Sequence, residues 1–124
     1  MINYFEELPD SCPPLESFNP EGLVFYRMCK TEQVQDSDFY SHRKLRPNAV
    51  WPNLTECQAR AVSLFTSKEK VLNYLKIPAH RNKKVFEVNL SETDGLICQT
   101  GQRTHYSWWR SVGFDCNLCY LLPS

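Results

Sequence analysis

The sequence predicts an α+β domain: a small, twisted, mostly antiparallel sheet with two or three helices alongside and an N-terminal proline-rich arm. Three observations lead there. Strand-like runs dominate the second half of the chain. Helical signals fall between the earlier strands. The first 20 residues hold four of the eight prolines, Pro9, Pro13, Pro14 and Pro20, which rules out a long helix there. A chain of 124 residues is one domain's worth, so the division is a wrapping arm over 1–20 and a single α+β domain over 21–124.

The arm also carries Tyr4, Phe5, Leu8, Leu15 and Phe18, too apolar for a free tail, and a short helical turn is expected near Tyr4–Leu8. "GLVFYRMC", residues 22–29, is dense in strand formers after a glycine and reads as the first strand. "DSDFYSHRKL", residues 36–45, reads as a helix capped by Asp36 or Ser37, acidic at its start and basic at its end, as the helix dipole favours. "RPNAVWPN" is a loop with two prolines. "NLTECQARAV" reads as a short helix capped by Asn53, and "VSLF" as a second strand.

"TSKEKVLNYLK" has the strongest helical signal in the chain. Thr66 with Glu69 forms a capping box, Val71, Leu72 and Leu75 share one face, and Pro78 stops it. "KKVFEVNL" alternates, with Phe86, Val88 and Leu90 opposite Glu87 and Asn89, and is a half-buried strand. The turn "SETDG" leads into a paired strand "LICQT", and "HYSWW" and "CYLL" close the sheet.

Composition excludes some classes of function. Acidic and basic residues balance at 14 each, so net charge gives no argument for nucleic-acid binding or an anionic membrane surface. No stretch approaches the ~18 apolar residues of a membrane span. The start, "MINYFEELPD", is acidic where a secretory signal is basic, so a cytoplasmic protein with reduced thiols is expected despite its six cysteines. Cys116 and Cys119 have the spacing of half a zinc site, for which Cys12, Cys57, Cys98, His42 or His105 would have to supply the rest. The plainer reading is two buried thiols and no metal.

The residue types that carry chemistry are few. Arg27 lies mid-strand between apolar neighbours, so if buried it needs a ligand phosphate or carboxylate, or a salt bridge such as one to Glu87. "RTHYSWWRS", residues 103–111, places His105, Ser107 and Trp109 on one strand face and Tyr106, Trp108 and Arg110 on the other. One tryptophan therefore anchors the interior, and the other either lines a cleft or is buried under the arm. "SHRKLRP" and "AHRNKK" are basic clusters that either form one anion-binding surface or remain two solvated loops.

A first strand ending in "FYR", a strand "SLFTS" running into the helix "KEKVLNYL", and a regular strand "KVFEVNL" together resemble the ADP-ribosyltransferase-like fold over roughly residues 22–110. The resemblance implies that Arg27 and the middle strand, with Ser63, Thr66 and Ser67, hold NAD, and that Trp108 or Trp109 stacks on nicotinamide or adenine. The fold's Glu-x-Glu element is absent, since after Asp94 the one acidic residue is Asp115. What the resemblance implies is thus nucleotide or dinucleotide binding with degenerate catalysis, in which His105, aided by Arg27, is the candidate acid or base.

Two other functions compete. One is a non-enzymatic bacterial or phage accessory protein that captures a protein partner through the arm and its aromatic residues. The other is a small metal-independent RNase or RNA binder using His42, Arg43, His80, Arg81, Arg103 and His105.

Overall fold

The computed structural model describes residues 2–123. Six strands form one open antiparallel sheet: β1 (Val24–Cys29), β2 (Val62–Phe65), β3 (Lys84–Asn89), β4 (Gly95–Gln99), β5 (His105–Arg110) and β6 (Tyr120–Leu121), in the order β4-β5-β2-β1-β3-β6. Three short helices flank it: α1 (His42–Leu45), α2 (Glu56–Ala59) and α3 (Lys68–Tyr74). The architecture is the small α+β fold expected from the alternating strands and the helices between them. Among the described residues no helix is long and apolar enough to cross a membrane.

Strand register decides what each face carries, because paired residues point the same way. Phe25 pairs with Val88, Arg27 with Phe86, Val62 with Trp108, and Ile97 with Trp108. All of these side chains but that of Arg27 join Leu64 in the main core, closed by Phe39, Phe114 and Cys116. The opposite face carries Tyr26, Phe65, His105, Ser107 and Trp109, aligned through the pairs Tyr26↔Phe65, Phe65↔His105 and Ser63↔Ser107. On this face α3 sets Tyr74 against Phe65, with ring centroids 5.6 Å apart. The arm and α2 cover Trp109.

The arm is fully docked. Tyr4 bridges to Ser111 and Phe18 to Ile97, so no helical turn forms at Tyr4–Leu8. The amide of Phe5 donates to the carbonyl of Arg110 at 2.9 Å, which holds this part of the arm extended. Between those anchors Leu8 and Cys12 pack on Trp109, Ala61 and Cys98.

Three helix expectations need correction. Residues 36–45 are two pieces, a 3-10 turn at Asp36–Phe39 and α1, because Tyr40 is extended at φ −89° and ψ 146°. Ser41 then starts afresh, its hydroxyl accepting from the amide of Lys44 at 3.1 Å while donating to Glu6 at 2.8 Å. The cap of α2 is Thr55, not Asn53, in a reciprocal capping box with Gln58. The cap of α3 is Ser67, because the amide of Thr66 is still donating to Thr104 at the end of the β2–β5 ladder.

The expectation of reduced thiols is also overturned: Cys12 and Cys57 form a disulfide that ties the arm to α2. The register brings these two side chains together over Trp109 although they lie 45 residues apart. Cys29, Cys98, Cys116 and Cys119 are free. Burial is the first cause raising their thiol pKa values, to about 12 for Cys29 and Cys119.

Candidate functional site

The site grows from an opening in the sheet. β1 and β2 pair at one position, Tyr26↔Phe65, and then part. The Arg27 guanidinium occupies that opening. Its Nε donates to the carbonyl of Asp38 at 2.6 Å, and its Nη1 to the carbonyl of Ser63 at 2.7 Å. The Asp38 carboxylate braces the same turn by accepting from the amides of Lys30 and Gln35, at 3.2 and 2.8 Å. Arg27 does not pair with Glu87, which lies on the other face and accepts from Asn89. Desolvation lowers the pKa of Arg27, against the influence of Cys29 and Asp38. The fork is therefore held by two carbonyls, and Nη2 has no protein partner among the described residues.

His42 stands at the start of α1. Its pKa lies below the ordinary 6.5, first through desolvation and then through the charges of Arg27, His105 and Arg46. His42 also packs against Trp51, with ring centroids 5.9 Å apart. His42, Leu45, Arg46 and Trp51 line a surface depression of about 360 Å³.

His105 is oriented from the other side. Its Nδ1 lies 2.8 Å from the carbonyl of Thr100, which can only accept, so that nitrogen carries a proton. In the neutral ring Nε2 is then left as the acceptor. The ring meets the edge of Phe65 at 5.3 Å. The Thr100 hydroxyl also lies 2.7 Å from that of Ser107, fixing the polar end of β5.

A second device shapes the loop that carries Trp51. Arg43 forms a two-toothed pair with Glu56, both bonds at 3.0 Å, and donates to the carbonyls of Pro47 and Ala49 at 2.9 Å each. The same guanidinium stacks 4.8 Å above the Trp51 ring. Glu56 in turn accepts from Arg60 at 2.8 Å, and the two arginines hold its carboxyl below the usual range. The loop between α1 and α2 is thus folded around one arginine.

Several residues expected at a site serve elsewhere. Trp108 and Trp109 are both buried, at 0% and 1% exposure, so neither indole offers a face to a ligand. Their ring N–H groups donate to the carbonyls of Asp94 and Cys57, both at 2.9 Å. The alternation is as expected, but the arm buries the ring that would otherwise have lined a cleft. Ser63 contributes its carbonyl to Arg27. Thr66 is exposed and its hydroxyl lies 3.4 Å from the Thr104 carbonyl.

His80 and Arg81 belong to a different region. Arg81 lines a concavity with Leu72, Leu75, Lys83 and Lys84, distinct from the depression at His42. Arg103 is exposed. Cys116 joins the main core and Cys119 packs against it. Trp51 lines the depression with His42, Leu45 and Arg46. A tryptophan set between prolines in a polar loop has no strand or helix pattern to bury it, and that is the signal the sequence carries.

Comparison of this chain with protein-family models, with curated proteins and with solved structures finds no match.

Proposed function

We propose that this chain binds a nucleotide, with its phosphate at Arg27 and His42 and its base on Trp51. One observation carries this reading. Two backbone carbonyls fix Arg27 and leave Nη2 unpartnered among the described residues, and His42 packs beside the half-exposed Trp51 in a depression of about 360 Å³. A cation in a rigid fork suits a phosphate oxygen, and an aromatic ring with one open side suits a planar base. The first-strand arginine and the NAD expectation of the ADP-ribosyltransferase-like resemblance support the same ligand class. The stacking ring in this reading is Trp51 rather than Trp108 or Trp109.

The test is calorimetric titration with NAD, ADP and AMP, alongside tryptophan fluorescence and melting temperature. Binding should quench fluorescence and raise the melting temperature, since a ligand that binds the folded state stabilises it. Trp51→Ala and His42→Asn should each weaken binding without unfolding the domain. No heat and no melting shift with any of the three at millimolar concentration would remove the reading.

A second reading is metal-independent cleavage of RNA, favoured by a second oriented histidine, His105, whose Nδ1 lies 2.8 Å from the Thr100 carbonyl. A neutral His42 would accept the 2′-hydroxyl proton, a protonated His105 would supply one to the leaving 5′-oxygen, and Arg27 would steady the phosphate. Cleavage of a fluorogenic RNA in excess chelator, lost in both His42→Ala and His105→Ala, would support it. An intact RNA would exclude it.

A further inference from the structure

The disulfide sits where the arm meets the walls of the candidate site. Cys12 and Cys57 are both half-buried, so a reductant can reach the bridge, whereas Cys29, Cys98 and Cys116 are buried. Cys119 is half-buried, but its thiol pKa is pushed up to about 12, so it offers little thiolate to compete.

The arm's ends are held by sheet bonds. Asn3 accepts from Val112, Phe5 donates to Arg110, and Phe18 and Ile97 exchange two bonds of 2.9 Å. Its middle has no such ladder. Glu6 accepts from Ser41, Glu7 accepts from Arg60 at 2.6 Å, and the rest of the hold is the packing of Leu8 and Cys12 on Trp109 and the bridge itself. Those partners are also the braces of the site. Ser41 caps the helix that begins with His42, and Arg60 and Glu56 hold Arg43 over Trp51.

We propose that the Cys12–Cys57 bridge is a redox-responsive tether that, while oxidised, clamps the middle of the arm onto α1 and α2, and on reduction frees it and loosens the His42–Trp51 site. The reductant is a protein or small-molecule dithiol. One of its thiolates attacks a bridge sulfur, the S–S bond breaks, and a mixed disulfide forms as the other cysteine leaves as thiolate and takes a proton. The second thiol of the dithiol then displaces the remaining cysteine. Two electrons and two protons pass to Cys12 and Cys57, and the dithiol closes into its own disulfide. The tether stands on the arm's contacts alone; its effect on affinity rests on the nucleotide reading.

The full chain is equilibrated in dithiol buffers of graded potential. Thiol labelling with mass spectrometry reports Cys12 and Cys57, and a glutamate-specific protease reports the arm through cleavage after the exposed Glu16. Cleavage should rise about tenfold or more in step with labelling, with circular dichroism of the sheet unchanged. The double variant Cys12→Ser, Cys57→Ser should be cleaved at the faster rate at every potential, and AMP affinity should fall several-fold, roughly, on reduction.

The proposal is overturned if the bridge is reduced with no change in cleavage, if reduction unfolds the domain in the same step, or if both thiols label in untreated protein. A failure of AMP to bind the oxidised chain would defeat the nucleotide reading, and cleavage would still decide the tether.

Discussion

Trp108 and Trp109 are neighbours in β5, equally buried, and covered by different kinds of structure. Trp108 faces a core made by the domain itself, with Phe114 at 4.7 Å and Phe39 at 6.3 Å, both edge-on. Trp109 faces a thin cover made of α2 and the arm. The comparison teaches that burial alone does not say how a side chain is held. One face is closed by continuous packing, and the other is closed by a strap with a covalent stitch.

The sharpest way to break the comparison is to truncate each ring. Trp108→Ala should cost about 4 kcal/mol, because the strands around it cannot collapse into the cavity. Trp109→Ala should cost about 1 kcal/mol less, since the arm can settle inward. Urea unfolding of both variants checks this, and equal losses would mean the arm is as rigid as the main core.

Removing the stitch comes next. The Cys12→Ser, Cys57→Ser variant should lose about 3 kcal/mol, somewhat below the chain-entropy figure of about 4 kcal/mol for a loop closed over a separation of 45 residues. The same variant built on Trp109→Ala should lose less than the sum, because both changes act on one cover. Full additivity in denaturant midpoints would show that the bridge and the ring are independent.

A smaller effect lies on β4, the strand paired with the Trp109 strand. Gly95 has φ +123°, and a methyl group there would run into the carbonyl oxygen of Trp109. Gly95→Ala should cost about 2 kcal/mol and speed amide exchange along β4 and β5. Unchanged exchange at Ile97 would show that the β4 edge absorbs the clash.

The smallest effect concerns pH. The folded chain resists protonating His42, whereas in the unfolded chain it titrates near 6.5. Stability should therefore be complete above that value and erode as pH falls towards the lowered folded pKa. The ring is largely exposed, so solvent screening leaves a change of about a few tenths of a kcal/mol. His42→Asn should flatten that part of the stability profile, read from denaturant midpoints at several pH values. The same slope in both proteins would assign it to another group.

Much of the fold was legible because strands encode their own faces. The alternation in "KVFEVNL" and "HYSWW" gave β3 and β5 their sides, and the caps expected at Asn53 and Thr66 lie within two residues of the true ones, Thr55 and Ser67. What could not be read was long-range. That Arg27 would meet the carbonyls of Asp38 and Ser63 depends on where β1 and β2 part, which no local pattern marks. Trp51 and His42 meet because Arg43 pairs with Glu56 across a loop, and their residue types alone give no distance. The disulfide escaped for the same reason. An acidic N-terminus speaks to export signals, and a gap of 45 residues says nothing about pairing.

The docking of the arm has a consequence for how the protein is made. Asn3 and Phe5 bond to residues 110–112, and Phe18 bonds to β4. The arm is therefore synthesised well before residues 110–112 and must wait for them before it finds its place. Until then its aromatic residues and Cys12 are open to solvent, and pairings this distant in sequence form slowly. The cover over Trp109 closes only after β5 and residues 110–112 have been made, which makes the nascent chain, rather than the mature one, the form most exposed to aggregation and to mispairing of its thiols.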